Sequence, residues 1–189
     1  MPTFTLVAGP NGSGKSTLTA ALTFEGQKNI VDPDAIARTL SPNALVRAAI
    51  AAARQAVARC RALVGNRESF ILESTLAGHG ALSLMRSAKR ANYRTLLIYV
   101  ALDDPELHIE RVRLRVSQGG HDIPDADIRR RYHRSLLHAP EAIQLADEAV
   151  VLDNSRARPE RMLMLTDGRV IWRSTSLPLW AQAIIARPE

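Results

Sequence analysis

Thr3-Phe4-Thr5-Leu6-Val7-Ala8 runs directly into Gly9-Pro10-Asn11-Gly12-Ser13-Gly14-Lys15-Ser16-Thr17, and the reading of this junction decides the fold. The first six residues form an apolar, β-prone run. Gly9 with Gly14-Lys15-Ser16 satisfies the phosphate-binding loop pattern G-x-x-x-x-G-K-[ST], and Thr17 to Leu22 leaves the loop as a helix. Glycines let successive backbone N–H groups converge on one point, which makes a nest for anions. The following helix turns the positive end of its dipole toward the same point. In this pattern Lys15 reaches the β- and γ-phosphates of a nucleoside triphosphate, and the Ser16 hydroxyl ligates Mg²⁺. An ordinary glycine-rich turn is the alternative, and the strand before and helix after weigh against it.

The rest of the chain alternates strand and helix. Asn29 to Asp32 reads as a second strand stopped by Pro33, with helical residues from Ala35 to Leu40. Ser41-Pro42 is a helix start, Ser as N-cap and Pro at the first helical position, and Gly65 stops that Ala-rich helix. Ser69 to Glu73 is a buried strand, Ala81 to Asn92 a helix, and Tyr93 to Leu102 contains the most apolar strand. Asp103-Asp104-Pro105-Glu106 opens a basic helix to Ser117, and Gln118-Gly119-Gly120-His121-Asp122-Ile123-Pro124 breaks it. A second basic helix runs from Asp125 to Pro140, and Glu141 to Ala146 forms a further helical piece. Ala149 to Asp153 is a fifth strand, and Arg161 to Trp172 reads as a terminal hairpin turning at Asp167-Gly168. Pro178 onward is a short last helix. This pattern predicts an α/β fold: a P-loop three-layer α/β/α sandwich around a mostly parallel five-stranded sheet, with a lid at about 115–131 and a C-terminal β-hairpin.

At 189 residues with 46% apolar content, one domain over 1–189 is expected. No run approaches the ~20 apolar residues of a membrane span, the first strand begins too early for a signal peptide, and the lone Cys60 fits a reducing cytoplasm. Cys60 reads as a packing residue. The net charge of +6 points to anionic partners, and only three of the 25 basic residues are lysine. Arginine grips phosphate oxygens bidentately, although for most of these residues solvated helix faces are the better reading. Aromatic residues are 4% of the chain, too few to stack nucleic-acid bases readily.

In a parallel sheet, ligands gather at the carboxyl ends of the strands. That rule places the P-loop, Asp32 and Asp34, Glu73-Ser74-Thr75 with His79, and Asp103 with Asp104 on one rim. Asp34 is the preferred general base, because phosphoryl transfer to a hydroxyl needs a carboxylate beside the acceptor. Asp32 is its rival, with helix capping or Mg²⁺ as other duties, and Asp34 itself is a candidate N-cap. Glu73 suits Mg²⁺ held through water or a substrate hydroxyl, and Thr75 a hydrogen bond to the acceptor; a polar loop start is the plain alternative. Asp103 resembles a Walker B acid, but the helix-start reading is favoured there. Arg111, Arg113 and Arg115 before the Gly119-Gly120 break, and Arg129, Arg130, Arg131 and Arg134 after it, look like a lid that brings cations over the γ-phosphate. Arg115 and Arg131 flank the break most symmetrically, and at least two of the seven are surface decoration. His121 has no Cys or His partner at metal-ligand spacing.

The P-loop, Asn29 to Asp34, Glu73-Ser74-Thr75, and Gly119-Gly120-His121-Asp122-Ile123-Pro124 followed by Ile128-Arg129-Arg130-Arg131-Tyr132 together resemble the zeta toxin family of P-loop kinases in its compact form. The resemblance implies an ATP- or GTP-dependent, Mg²⁺-requiring kinase that phosphorylates a hydroxyl of a UDP-activated amino sugar, UDP-N-acetylglucosamine. It assigns Asp34 as base, Lys15 as phosphate ligand, Glu73 and Thr75 to the substrate loop, and Arg115 and Arg131 as lid arginines. The family's toxins are usually longer, and with no fused antitoxin here, any antitoxin would be a separate protein. Two other readings stand beside it. One is a kinase of another metabolite, nucleotide or nucleic-acid end. The other is a P-loop ATPase without an acceptor, whose transport-type form would need Leu-Ser-Gly-Gly-Gln where this chain has Ser117-Gln118-Gly119-Gly120.

Overall fold

The computed structural model describes residues 1–21, 23, 25–40, 45–120 and 122–185, with the backbone alone at 45–47. The expected helix start at Ser41-Pro42 and all of His121 lie outside the described residues. The elements follow as β1 (Thr3–Ala8), α1 (Lys15–Ala21), β2 (Ile30–Val31), α2 (Pro33–Leu40), α3 (Leu45–Gly65), β3 (Phe70–Ser74), α4 (Gly80–Arg90) and β4 (Arg94–Ala101). After them come α5 (Pro105–Ser117), α6 (Asp125–Leu145), β5 (Glu148–Asp153), β6 (Glu160–Thr166), β7 (Arg169–Arg173) and α7 (Leu179–Ile185).

The strands form one sheet in the order β2-β3-β1-β4-β5-β6-β7. The first five are parallel and the last two antiparallel. The five-stranded expectation is corrected here: the terminal hairpin is not separate but extends the sheet, with Ala149 opposite Leu165 and Val151 opposite Leu163. Pairing satisfies the outer edge of β5, which would otherwise present unbonded N–H and C=O groups, and it buries Met162 and Leu163.

β1 is the middle one of the five parallel strands and every one of its residues is buried, which is why it reads as a continuous run and not as an alternating one. Phe4 stacks on Phe70 of β3 with ring centroids 4.7 Å apart. The main core gathers Ala56, Cys60 and Leu63 of α3, Leu82 and Met85 of α4, Ala139 and Ile143 of α6, and Trp180 and Ile184 of α7 around the sheet. Burial pushes the Cys60 thiol up to about 11, so it stays protonated and packs as a small apolar side chain.

The break expected at Pro140 does not occur: α6 is continuous through it. An internal proline forfeits one helix hydrogen bond, but Ala139, Pro140, Ala142 and Ile143 are all buried, and packing of that face outweighs the local loss. α5 and α6 carry a second, smaller cluster of Ile109, Val112, Ile123 and Ile128. It holds the connection between them independently of the main core. No helix among the described residues is long and apolar enough to cross a membrane.

Candidate active site

The pairing of β1 with β3 builds the site. Val7 stands opposite Glu73 and Ala8 opposite Ser74, so the end of β3 arrives beside the loop that follows β1. The Ser16 hydroxyl, in the first turn of α1, donates to Glu73 Oε2 at 2.7 Å, and Glu73 is 6% exposed. The loop is held in its nest by positive φ at Gly9, Gly12 and Gly14. Lys15 folds back over it, donating to the carbonyls of Gly9 at 2.8 Å and Pro10 at 2.9 Å. Burial of the ammonium holds its pKa below the ordinary lysine value, against the opposing pull of Asp34, Glu73 and Asp32; Arg115 lowers it further.

Asp32 takes the capping duty on α2. Its Oδ1 accepts from the Asp34 N–H at 2.9 Å and its carbonyl from the Ile36 N–H at 3.0 Å, with Pro33 at the first helical position. Asp34 is thereby freed: among the described residues its carboxylate has no hydrogen bond or salt bridge. Both face a cleft of about 890 Å³ that also takes in Lys15, Ser16, Glu73 and Thr75. His79 lies apart from that lining, exposed at the start of α4, its ring 4.6 Å from that of His138. Asp104 accepts from the Glu106 N–H at 2.8 Å as the N-cap of α5, and Asp103 beside it is exposed, so this pair is a helix start.

The seven arginines sort by helix face. Arg111, Arg115 and Arg131 line the cleft, Arg111 donating to the Asn154 carbonyl at 2.6 Å and Arg131 to Asn11 Oδ1 at 3.2 Å. Arg113, Arg129 and Arg130 turn outward to Asp125, Glu106 and Asp127, and Arg134 is exposed.

The Gly119-Gly120 break is a helix C-cap. Gly119, at φ +85°, donates to the Val116 carbonyl at 2.9 Å, and Gly120 to the Arg115 carbonyl at 2.8 Å, the double bond of a Schellman motif. A Cβ on Gly120 would lie 2.5 Å from Arg115 Cγ and 2.7 Å from its carbonyl oxygen. Gly120→Ala is therefore expected to cost roughly 1–3 kcal/mol in denaturant unfolding and to displace Arg115 in the cleft.

A family model for an AAA domain (AAA_33) matches residues 4–137, from β1 through the P-loop to the middle of α6. The chain belongs to this AAA domain family. An uncharacterised protein from Haemophilus influenzae is 32% identical over 124 residues, covering 66% of this chain and 88% of that protein. The chain superposes on the AvrRxo1-ORF1:-ORF2 structure with ATP at a TM-score of 0.72 and 16% identity, covering 90% of this chain. It spans 60% of that longer chain. The PezAT toxin–antitoxin system of Streptococcus pneumoniae gives a TM-score of 0.60 at 15% identity, with 87% of this chain and 71% of that one covered. Shikimate kinase from Acinetobacter baumannii, in complex with shikimate, gives 0.51 at 14% identity, over 83% and 86%. These likenesses establish a P-loop kinase-like fold.

Two site neighbours of the AAA domain have no signal in the sequence. Asn154, just past β5, donates from Nδ2 to the Ser13 carbonyl at 2.8 Å. His108 of α5 is buried against the P-loop, its Nδ1 2.7 Å from the Asn11 carbonyl. Burial drops its pKa to about 4 against the Asn11 hydrogen bond, which favours the charged ring; Lys15 and Arg111 depress it further and Asp104 opposes them.

Proposed function

We propose that this AAA domain is a phosphotransferase that moves the γ-phosphate of ATP or GTP to a hydroxyl of a small molecule. The observation that carries the reading is the Asp34 carboxylate: it has no hydrogen-bond or ion-pair partner among the described residues, yet shares one cleft with the P-loop lysine. A carboxylate at the mouth of a nucleotide site has little use in plain phosphate binding, where it repels the ligand. It has a use in taking the proton from an attacking hydroxyl. In the reaction the acceptor oxygen bonds to the γ-phosphorus, its proton passes to Asp34, and the bond to the β,γ-bridging oxygen breaks to release the nucleoside diphosphate.

The residues present fit both bound groups. Gly9, Pro10, Asn11, Gly12, Ser13, Gly14, Lys15, Ser16 and Thr17 supply the nest, the ammonium and the helix N-terminus for phosphates. Ser16 and Glu73 place two hard oxygen donors side by side, the donor chemistry Mg²⁺ takes. A bound Mg²⁺ would neutralise charge on the β- and γ-phosphates. Arg115 and Arg131 close over the phosphate from the lid, and Thr75 contacts the acceptor. Glu73→Gln is expected to raise the Mg²⁺ concentration for half-maximal turnover by about tenfold or more, as loss of one outer partner does at other metal sites.

For the acceptor we infer a UDP-activated amino sugar, with UDP-N-acetylglucosamine first, from the resemblance of the P-loop, Asn29 to Asp34 and Glu73-Ser74-Thr75 to zeta toxins. The likeness to the PezAT toxin–antitoxin system, and that to the AvrRxo1-ORF1:-ORF2 assembly, supports a separate antitoxin protein as partner; we further propose that the chain acts in the cytoplasm as one domain over 1–189. Incubation with γ-labelled ATP, Mg²⁺ and a panel of UDP-sugars, shikimate-like alcohols, nucleosides and oligonucleotides tests it. Label in a UDP-sugar is expected. Label in another acceptor alone would overturn the sugar assignment and leave the kinase reading standing.

A further inference from the structure

Asn11 of the P-loop is held at both ends by the lid helices. Its carbonyl can only accept, so His108 Nδ1, 2.7 Å away, carries the proton. His108 Nε2 in turn accepts from the Leu102 N–H at 3.2 Å, which fixes the same tautomer. Both ring nitrogens of a fully buried imidazole are thereby used, one on the P-loop and one on the strand end behind it. The ring of Tyr132 in α6 packs against His108 with centroids 5.2 Å apart. At its other end, Asn11 Oδ1 accepts from Arg131, the residue before Tyr132, at 3.2 Å. The contact between α5 and the loop is close: a Cβ on Gly12 would lie 2.6 Å from the His108 carbonyl oxygen.

A core position of this kind is filled at less cost by Leu or Phe, because a buried imidazole must have both nitrogens satisfied. Here the satisfied nitrogens join three pieces of the site. The Asn11 to Arg131 bond runs to a neutral amide oxygen, so a phosphate oxygen, which offers a charge-assisted bond, outcompetes it. Asn11 thus holds the guanidinium in place without trapping it.

We propose that His108 is a positioning residue for Arg131: by clamping the Asn11 carbonyl it fixes the Asn11 side chain, and that side chain parks the Arg131 guanidinium where the terminal phosphate of a bound nucleotide takes it over. The proposal rests on the P-loop as the nucleotide site and Arg131 as a lid arginine. It places the lid's aim in a residue that touches neither nucleotide nor acceptor.

The test needs no acceptor. Isothermal titration of the full chain with MgATP and with MgADP gives a preference for the triphosphate, the quantity Arg131 governs. Arg131→Ala is expected to remove most of that preference, about tenfold or more for a charge-assisted phosphate contact. His108→Gln, whose amide reaches the place of Nε2 but not of Nδ1, is expected to lose a comparable share while MgADP affinity changes little. His108→Asn, whose amide nitrogen falls near Nδ1, is expected to restore it. Asn11→Ala, which removes the side chain that Arg131 bonds, is expected to lose the same share of the triphosphate preference as His108→Gln, the double variant being no worse than either single one. A wild type that binds neither nucleotide overturns the P-loop reading. An unchanged preference in Arg131→Ala overturns the lid assignment. Loss in Arg131→Ala with full preference kept in Asn11→Ala or in folded His108→Gln overturns the positioning role itself.

Discussion

Asp34→Asn is expected to cut phosphoryl transfer by about 10²–10⁴, the range that general-base catalysis supplies, with MgATP affinity held within a few-fold. The substitution keeps the shape of the side chain and leaves the capping of α2 intact, because Asp32 and not Asp34 accepts the helix N–H. It also removes a negative charge that favours the ammonium form of Lys15 and repels the phosphates, two effects on nucleotide affinity that oppose each other. Steady-state kinetics with calorimetry on the same protein separates the two quantities. A large loss of MgATP affinity with little loss of turnover would instead make Asp34 a binding or metal residue.

Lys15→Met is expected to abolish transfer, by about 10³ or more for loss of a cation on the transferring phosphate, and yet not to lower the melting temperature. Two opposing effects decide this. The ammonium makes hydrogen bonds to the Gly9 and Pro10 carbonyls, which favour the folded state. Its burial works the other way and wins over three nearby carboxylates, holding the pKa below its ordinary value. The folded protein therefore binds the Lys15 proton less readily than the unfolded chain, and stability rises with pH through the window between the two values. Below that window the buried charge is a net cost of folding, and methionine removes it while filling the space of the stem. Differential scanning calorimetry at neutral pH checks the sign. A drop of many degrees would show the two carbonyl bonds to be structural.

What could be read along the chain was what is local. The P-loop is nine consecutive residues with a strand on one side and a helix on the other, and Glu73 was visible as the last acid of a buried strand. The division of duty between Asp32 and Asp34 was not visible, because both precede or open a helix; one hydrogen bond to the Asp34 N–H separates them. Which arginines enter the cleft depends on the rotation of α5 and α6, set by Ile109, Val112, Ile123 and Ile128 beneath them. Charge spacing alone cannot supply that. His79 was placed by its neighbours in sequence, yet the turn into α4 carries it away from the cleft toward His138. The hairpin read correctly as a hairpin, but its pairing with β5 is a long-range contact with no local mark. Pro140 misled for the opposite reason, since a strong local signal was overruled by packing. His108 sits between Leu107 and Ile109 like any core residue, and only the fold reveals that its partner is the P-loop.

A kinase of the kind proposed transfers the γ-phosphate to a bound hydroxyl and does not simply release it to water. The direct measurement is ³¹P NMR of one sample containing the protein, MgATP and UDP-N-acetylglucosamine, followed as ATP is consumed. A new phosphate monoester resonance is expected to grow in step with ADP, with inorganic phosphate a minor product. ATP consumption at the same rate with and without any acceptor, ending only in inorganic phosphate, would contradict it.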